Sequence, residues 1–240
     1  MAKMTLNDLI AQLKAIYGPE LVGVTLYGSA ARGEHIEKYS DLNVLVVVER
    51  ITMDHLRKES SVAHAWQEAG NPPPLTMSRS EWVGSADIFP IEYADILAHH
   101  KVLEGSLPLA GITVAQSDLR LQLEHEAMSK LLRLRHAVLM AGRDRKAQRE
   151  LLETSISAML VLLRATLRLV GESPPADSTA MCERVRERCG IDTSAALRIV
   201  HHTRGKPLAA AEIEPLVERY LGEAQDVVAY LDRFSGDSPP

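Results

Sequence analysis

The stretch Leu21-Val22-Gly23-Val24-Thr25-Leu26-Tyr27-Gly28-Ser29-Ala30-Ala31-Arg32-Gly33, followed after six residues by Ser40-Asp41-Leu42-Asn43-Val44-Leu45-Val46-Val47-Val48, decides how this chain is read. Two short apolar runs flank a glycine-containing polar turn, which is the pattern of strand, loop, strand. Glycine at 28 lets the backbone approach an anion closely, and the Ser29 hydroxyl with nearby N–H groups can donate to phosphate oxygens. Arg32, inside the loop, is placed to reach a phosphate or to bridge a carboxylate. Asp41 and Asn43 are two apart on an extended segment, so both side chains point to one face about 6–7 Å apart along it, a spacing suited to sharing a hard cation. The second member is an amide. Asn43 offers a carbonyl oxygen to a metal but brings no charge.

These residues resemble the signature of the nucleotidyltransferase fold of the DNA polymerase β superfamily, in particular the minimal nucleotidyltransferases and aminoglycoside adenylyltransferases. That signature is Gly-Ser, about ten residues, then Asp-x-Asp on a strand. Gly28 and Ser29 match, Ser40 is the small residue before the first carboxylate, Asp41 is that carboxylate, and Asn43 stands where the second is expected. The loop is a residue longer than in many members, and the clear resemblance covers roughly residues 21–50. It implies an α+β chain: a polymerase β-like mixed sheet with flanking helices, followed by an all-helical bundle. It also implies Mg²⁺-dependent transfer of a nucleoside monophosphate, AMP from ATP, to a hydroxyl of a small molecule or a protein acceptor.

In this family a third carboxylate from a neighbouring strand completes the metal site. Here Glu92, in the extended-looking run Ile88 to Tyr93, is preferred over Asp87 and Asp95. The implied catalytic and metal-holding set is therefore Asp41, Asn43 and Glu92, with Gly28, Ser29, Arg32 and Ser40 holding the nucleotide. With an amide at 43 the set carries one negative charge fewer than the family pattern, so a second metal binds more weakly. That leaves two functions to separate: a nucleotidyltransferase with an adapted site, or a catalytically impaired nucleotide-binding or protein-interaction module.

Composition bounds the answer further. With 240 residues, 46% hydrophobic and 25% charged, the chain can bury a substantial core. No window approaches the roughly 18 uninterrupted apolar residues of a membrane span, and Met1-Ala2-Lys3-Met4 leads into an amphipathic pattern, so the expected location is the cytoplasm. A net charge of −5 argues against a general nucleic-acid binder. Local clusters such as Arg184, Arg186 and Arg188 are first read as solvated helix faces. Cys182 and Cys189 lie about 10 Å apart along one expected helix, too far for a disulfide. The paired histidines His99-His100 and His201-His202 lack the i, i+4 spacing of a helical metal pair, and neither Gly-x-x-x-x-Gly-Lys-Ser/Thr nor Gly-x-Gly-x-x-Gly occurs. Oligomeric state is left open by the sequence, a homo-oligomer included.

Helical spacing of Leu6, Leu9, Ile10, Leu13 and Ile16 after Thr5, with Asp8 to complete the cap, predicts a helix over 6–17. Thr52 caps a second helix running toward Ala69, and Leu75 to Met77 read as a short strand before a Ser80-capped turn of helix. Ile88 to Tyr93 read as a further strand with Pro90 at an irregular or edge position. From Ser117 the pattern is helical throughout, with helices over 118–141, 145–170, near 178–189, 193–203 and about 209–234. The expected division is residues 1–115 and 116–240. In relatives of this layout the helical domain closes over the nucleotide cleft and contributes to the acceptor site, which is an expectation by analogy.

Overall fold

The computed structural model describes residues 3–33 and 41–234. The chain divides into two compact units, Met1–Ala115 and Gln116–Pro240. In the first, helix α1 (Leu6–Tyr17) begins at Thr5, whose hydroxyl accepts from the Asp8 N–H while the Asp8 carboxylate accepts from the Thr5 N–H. A 3₁₀ turn, Gly18–Glu20, leads into strand β1 (Leu21–Tyr27), and β2 (Asn43–Val48) runs antiparallel to it. Helix α2 (Met53–Glu68), capped by Thr52, returns the chain to β3 (Leu75–Ser78), parallel to β2.

Helices α3 (Arg79–Gly84) and α4 (Pro90–Ala98) precede strand β4 (His100–Gly105), which pairs antiparallel with β1. The result is a mixed four-stranded sheet in the order β3-β2-β1-β4. Ser78, not Ser80, caps α3, in a reciprocal capping box with Glu81.

Both faces of the sheet are covered, which is why β2 reads as a continuous apolar run. Val44, Val46 and Val48 meet Leu9, Leu13 and Tyr17 of α1 and Val62 and Trp66 of α2 on one face. Leu45 and Val47 meet Trp82 of α3 with Tyr93 and Ile96 of α4 on the other. There Trp82 stacks on Tyr93 at 4.4 Å between ring centroids, and the Tyr93 hydroxyl donates to the Trp82 carbonyl at 2.6 Å.

The alternation breaks once, at a bulge in β1 between Leu21 and Gly23, which turns Val22 to the α3/α4 face while Val24 and Leu26 face α1 and α2. At this point β1 and the end of β4 come so close that a Cβ on Gly23 would lie 2.1 Å from the Ser106 carbonyl oxygen.

The stretch expected as a strand over 88–93 is not one. Pro90 occupies the first turn of α4, where its fixed φ and missing N–H suit a helix start. Ile91, Tyr93 and Ile96 are buried from that helix. The strand beside β1 is instead His100–Gly105, which buries none of its side chains fully and carries no apolar alternation. His99 and His100 accordingly lie at the end of α4 and the start of β4, not together on a helix.

The second unit contains α5 (Gln116–Ala141), α6 (Arg145–Leu169), α7 (Ser178–Cys189), α8 (Ser194–Thr203) and α9 (Ile213–Arg233, entered through a 3₁₀ turn at Ala210–Glu212). Helix α6 packs against α5, α7, α8 and α9 and is buried on most sides, from Leu151 to Leu169. Cys182 and Cys189 are free thiols on α7, and burial pushes the Cys182 thiol up to about 12.

The start of α8 has an unusual cap. Thr193 turns its hydroxyl to the Cys182 carbonyl, and the backbone N–H groups of Ala195 and Ala196 donate instead to the buried carboxylate of Glu223 on α9. No described helix is long and apolar enough to cross a membrane.

Two stability outcomes follow from this packing. Gly23→Ala places a methyl against the Ser106 backbone and is expected to destabilise the first unit by about 2–3 kcal/mol in urea unfolding. The second concerns Glu223, whose pKa burial raises to about 7 from 4.5, with Asp192 adding to the rise and the two N–H bonds and Arg219 opposing it. The native state therefore holds a proton that the unfolded chain has lost between pH 4.5 and about 7. The contribution is fully present below pH 4.5 and is lost as pH rises through about 7, on the order of 3 kcal/mol. Denaturant midpoints across that window should show the decline in the native chain and its loss in Glu223→Gln; parallel curves for the two would contradict it.

Candidate functional site

At the end of the sheet, the last residue of β1, Tyr27, pairs with the first of β2, Asn43. The chain leaves β1 through Gly28 at φ 74°, a left-handed conformation that favours glycine. Space adds to the constraint, because a Cβ at residue 28 would lie 3.1 Å from Asn43 Nδ2. The turn then closes on itself: the Arg32 N–H donates to the Gly28 carbonyl at 3.3 Å and the Gly33 N–H to the Ala30 carbonyl at 3.4 Å.

Two anchors hold this turn. Ala30 and Ala31 pack against the apolar cluster under α1 and α2. On α4, Asp95 accepts from Arg32 Nη1 at 2.6 Å, with only 7% of the Arg32 side chain exposed. The guanidinium is thus committed to a carboxylate beside the turn. Ser29 is half-buried between these anchors.

Asp41 is exposed and stands just outside β2. Leu42 packs on the α1/α2 side and donates its N–H to Asn71 Oδ1 at 3.0 Å. Asn43 follows in the row of Leu45 and Val47, on the α3/α4 side, by the period-two alternation of strands. Ser40 lies outside the described residues.

Glu92 requires a correction. It sits in the first turn of α4, not on a strand next to β1. The run Ile88 to Tyr93 is too short for periodicity alone to separate strand from buried helix, and Pro90 fits either a strand edge or a helix start. Glu92 nevertheless acts on the end of β1: burial raises the Tyr27 phenol, and the negative charge of Glu92 adds to that rise. Asp87 is exposed in the loop before α4, and its charge is felt at the Tyr93 hydroxyl instead. Helix α4 therefore directs two carboxylates, one turn apart, at the β1–turn segment: Glu92 toward Tyr27 and Asp95 to Arg32.

Tyr27 was not expected at the site. The signal for it was its place directly before Gly28, opposite the polar residue that opens β2. The arrangement can present backbone N–H groups and a hydroxyl to an anion at Gly28 and Ser29, with Asp41 and Asn43 as oxygen donors beside them. Among the described residues, no group of three or more His, Cys, Asp or Glu side chains is placed to hold a metal ion. Of the other histidine pair, His202 is engaged with its Nε2 at 2.8 Å from Glu153 across α8 and α6.

No protein-family model matches this sequence, and no curated protein matches it. Among solved structures, it is similar to the crystal structure of the spectinomycin adenyltransferase AAD(9) from Enterococcus faecialis with ATP and spectinomycin. The TM-score is 0.53 and the identity 14%, over 92% of this chain and 100% of that one. At that identity the likeness speaks to architecture: this chain has the nucleotidyltransferase fold, a mixed four-stranded sheet with flanking helices followed by a helical region.

Proposed function

We propose that the chain binds ATP with Mg²⁺ at the Gly28-Ser29 turn and transfers AMP to a hydroxyl of a small-molecule or protein acceptor. The observation that carries this reading is the pairing of Tyr27 with Asn43, which brings a positive-φ glycine turn and the Asp41–Asn43 segment to one end of the sheet. The fold likeness to an adenyltransferase crystallised with ATP supports the reaction class.

The donor set suits Mg²⁺ arriving with its nucleotide. That ion takes one or two protein carboxylates and completes its shell with phosphate oxygens and water, so it needs no preformed cage. Asp41 and the Asn43 carbonyl oxygen would hold it, with Glu92, whose charge is felt at Tyr27, as a further carboxylate on α4. When bound, Mg²⁺ neutralises charge on the phosphates. The chain's own residues do the positioning: Gly28 admits the phosphate to the backbone, Ser29 donates to it, and Arg32, paired with Asp95, keeps the turn in shape.

The amide at 43 favours a second reading, in which the first unit binds nucleotide without transferring it. An active enzyme releases pyrophosphate from labelled ATP when offered aminoglycosides or protein acceptors, whereas a binder retains ATP intact.

Calorimetry and a transfer assay test both readings. Gly28→Val is expected to weaken ATP binding by tenfold or more, about 1.4 kcal/mol, because it combines strain at positive φ with a clash against Asn43. Unchanged affinity would remove the turn from the nucleotide site. Asn43→Asp is expected to tighten Mg²⁺ binding and raise or reveal AMP transfer, with Asp41→Asn doing the reverse. Strong native turnover that falls in Asn43→Asp would mean that the site is built around the amide.

A further inference from the structure

Helix α5 buries Leu119, Leu123, Ala127, Leu131 and Leu134 within the helical unit, as a bundle helix should. Its opposite face is apolar as well. Leu121, His125, Met128, Leu132, Arg135 and Leu139 follow one another in alternating steps of four and three residues. At 3.6 residues per turn these six fall in a stripe about 80° wide. Its apolar members are open to solvent: Leu121 is 70% exposed, Met128 41%, Leu132 54% and Leu139 78%. Single exposed leucines are ordinary, but three leucines and a methionine on one stripe whose positions alternate steps of four and three follow the spacing of a helix–helix seam.

We propose that this stripe is the seam of a homodimer, in which α5 packs antiparallel against α5 of a second copy. The charges of the helix select both the partner and the direction. On or beside the stripe, its first half carries Asp118 and Glu124 and its second half Arg135, with Arg143 just beyond its end, while Glu126 and Lys130 pair with each other away from it. A parallel pair would set like ends together; an antiparallel pair sets each acidic end against a basic one.

Centred between Met128 and Leu132, the antiparallel register packs Met128 on Leu132 of the second copy and Leu121 on its Leu139. Arg135 comes opposite His125 of the second copy and beside its Glu124, and Asp118 comes beside its Arg143. Glu124 already binds Arg120 at 2.6 Å on its own helix, so it would be shared, while Arg135 makes no ion pair among the described residues. The same patch thus complements itself about a two-fold axis, as an isologous interface requires. From 121 to 139 the seam is about 27 Å long, which places it at the lower end of specific interface size and makes the dimer concentration-dependent.

The test uses the full chain in sedimentation equilibrium from about 1 to about 200 μM, the range in which an interface of this size associates. The mass is expected to rise from 26.4 kDa toward twice that value with concentration. Leu132→Glu should move the midpoint up at least tenfold while leaving the thermal unfolding curve at about 1 μM, where both chains are monomeric, in place, since Leu132 is exposed. Orientation is read in a Cys189→Ser background, Cys182 being buried. There, Leu121→Cys with Leu139→Cys should form disulfide-linked dimers and Leu139→Cys alone should not. A chain that stays monomeric at the highest concentration, a dimer unaffected by Leu132→Glu, or efficient cross-linking of the single Leu139→Cys variant would each overturn the proposal.

Discussion

The double-sided burial of β2 is the constraint on which the first unit depends. Val44 to Val48 are closed off by α1 and α2 on one face and by α3 and α4 on the other, so a slip of one residue would move every one of these side chains to the opposite cluster. Burial therefore fixes the register of β2 against β1, and that register decides that Tyr27 and Asn43 are partners. The polar residues at the mouth of the sheet owe their juxtaposition to apolar packing two turns of pleat away. Gly28 completes the arrangement because a side chain there would be strained at its φ and would press on the Asn43 amide.

Around that mouth the charges are arranged by a helix, not by a strand. Asp95 holds Arg32, and Glu92 is felt at Tyr27, both from α4. An ion pair with little solvent access costs desolvation and is kept where geometry matters, here to fix a turn whose backbone must stay open. Under the proposed reading this gives the triphosphate a preorganised turn, with Asp41 and the Asn43 amide as metal donors at the strand. The negative charge that a second strand carboxylate would bring is absent.

The helical unit shows the same dependence on distant partners. The N-terminus of α8 has a threonine in the cap position, yet its N–H groups are satisfied by Glu223 from α9, while Thr193 serves α7. Buried donors must find acceptors, and which acceptor they find is a property of how three helices meet. The price of that solution is a carboxylate removed from water, whose pKa rises to about 7.

How much of this was legible in the sequence depends on the range of the interaction responsible. Strands β1 and β2, the Thr5 and Thr52 caps and the long helices were readable because local side-chain period and reciprocal capping determine them. The fold class was readable because Gly28-Ser29 and Asp41 stood between two apolar runs. Helix α4 was misread because a six-residue apolar run with a proline satisfies both periods, and β4 escaped notice because His100–Gly105 has no fully buried residue and exists through pairing with β1. For the site, the sequence named the glycine turn and the Asp41–Asn43 pair. Only the tertiary structure decided that Arg32 is held by Asp95 and that Glu92 approaches from a helix beside Tyr27, since those contacts join residues more than sixty positions apart and no local pattern records them.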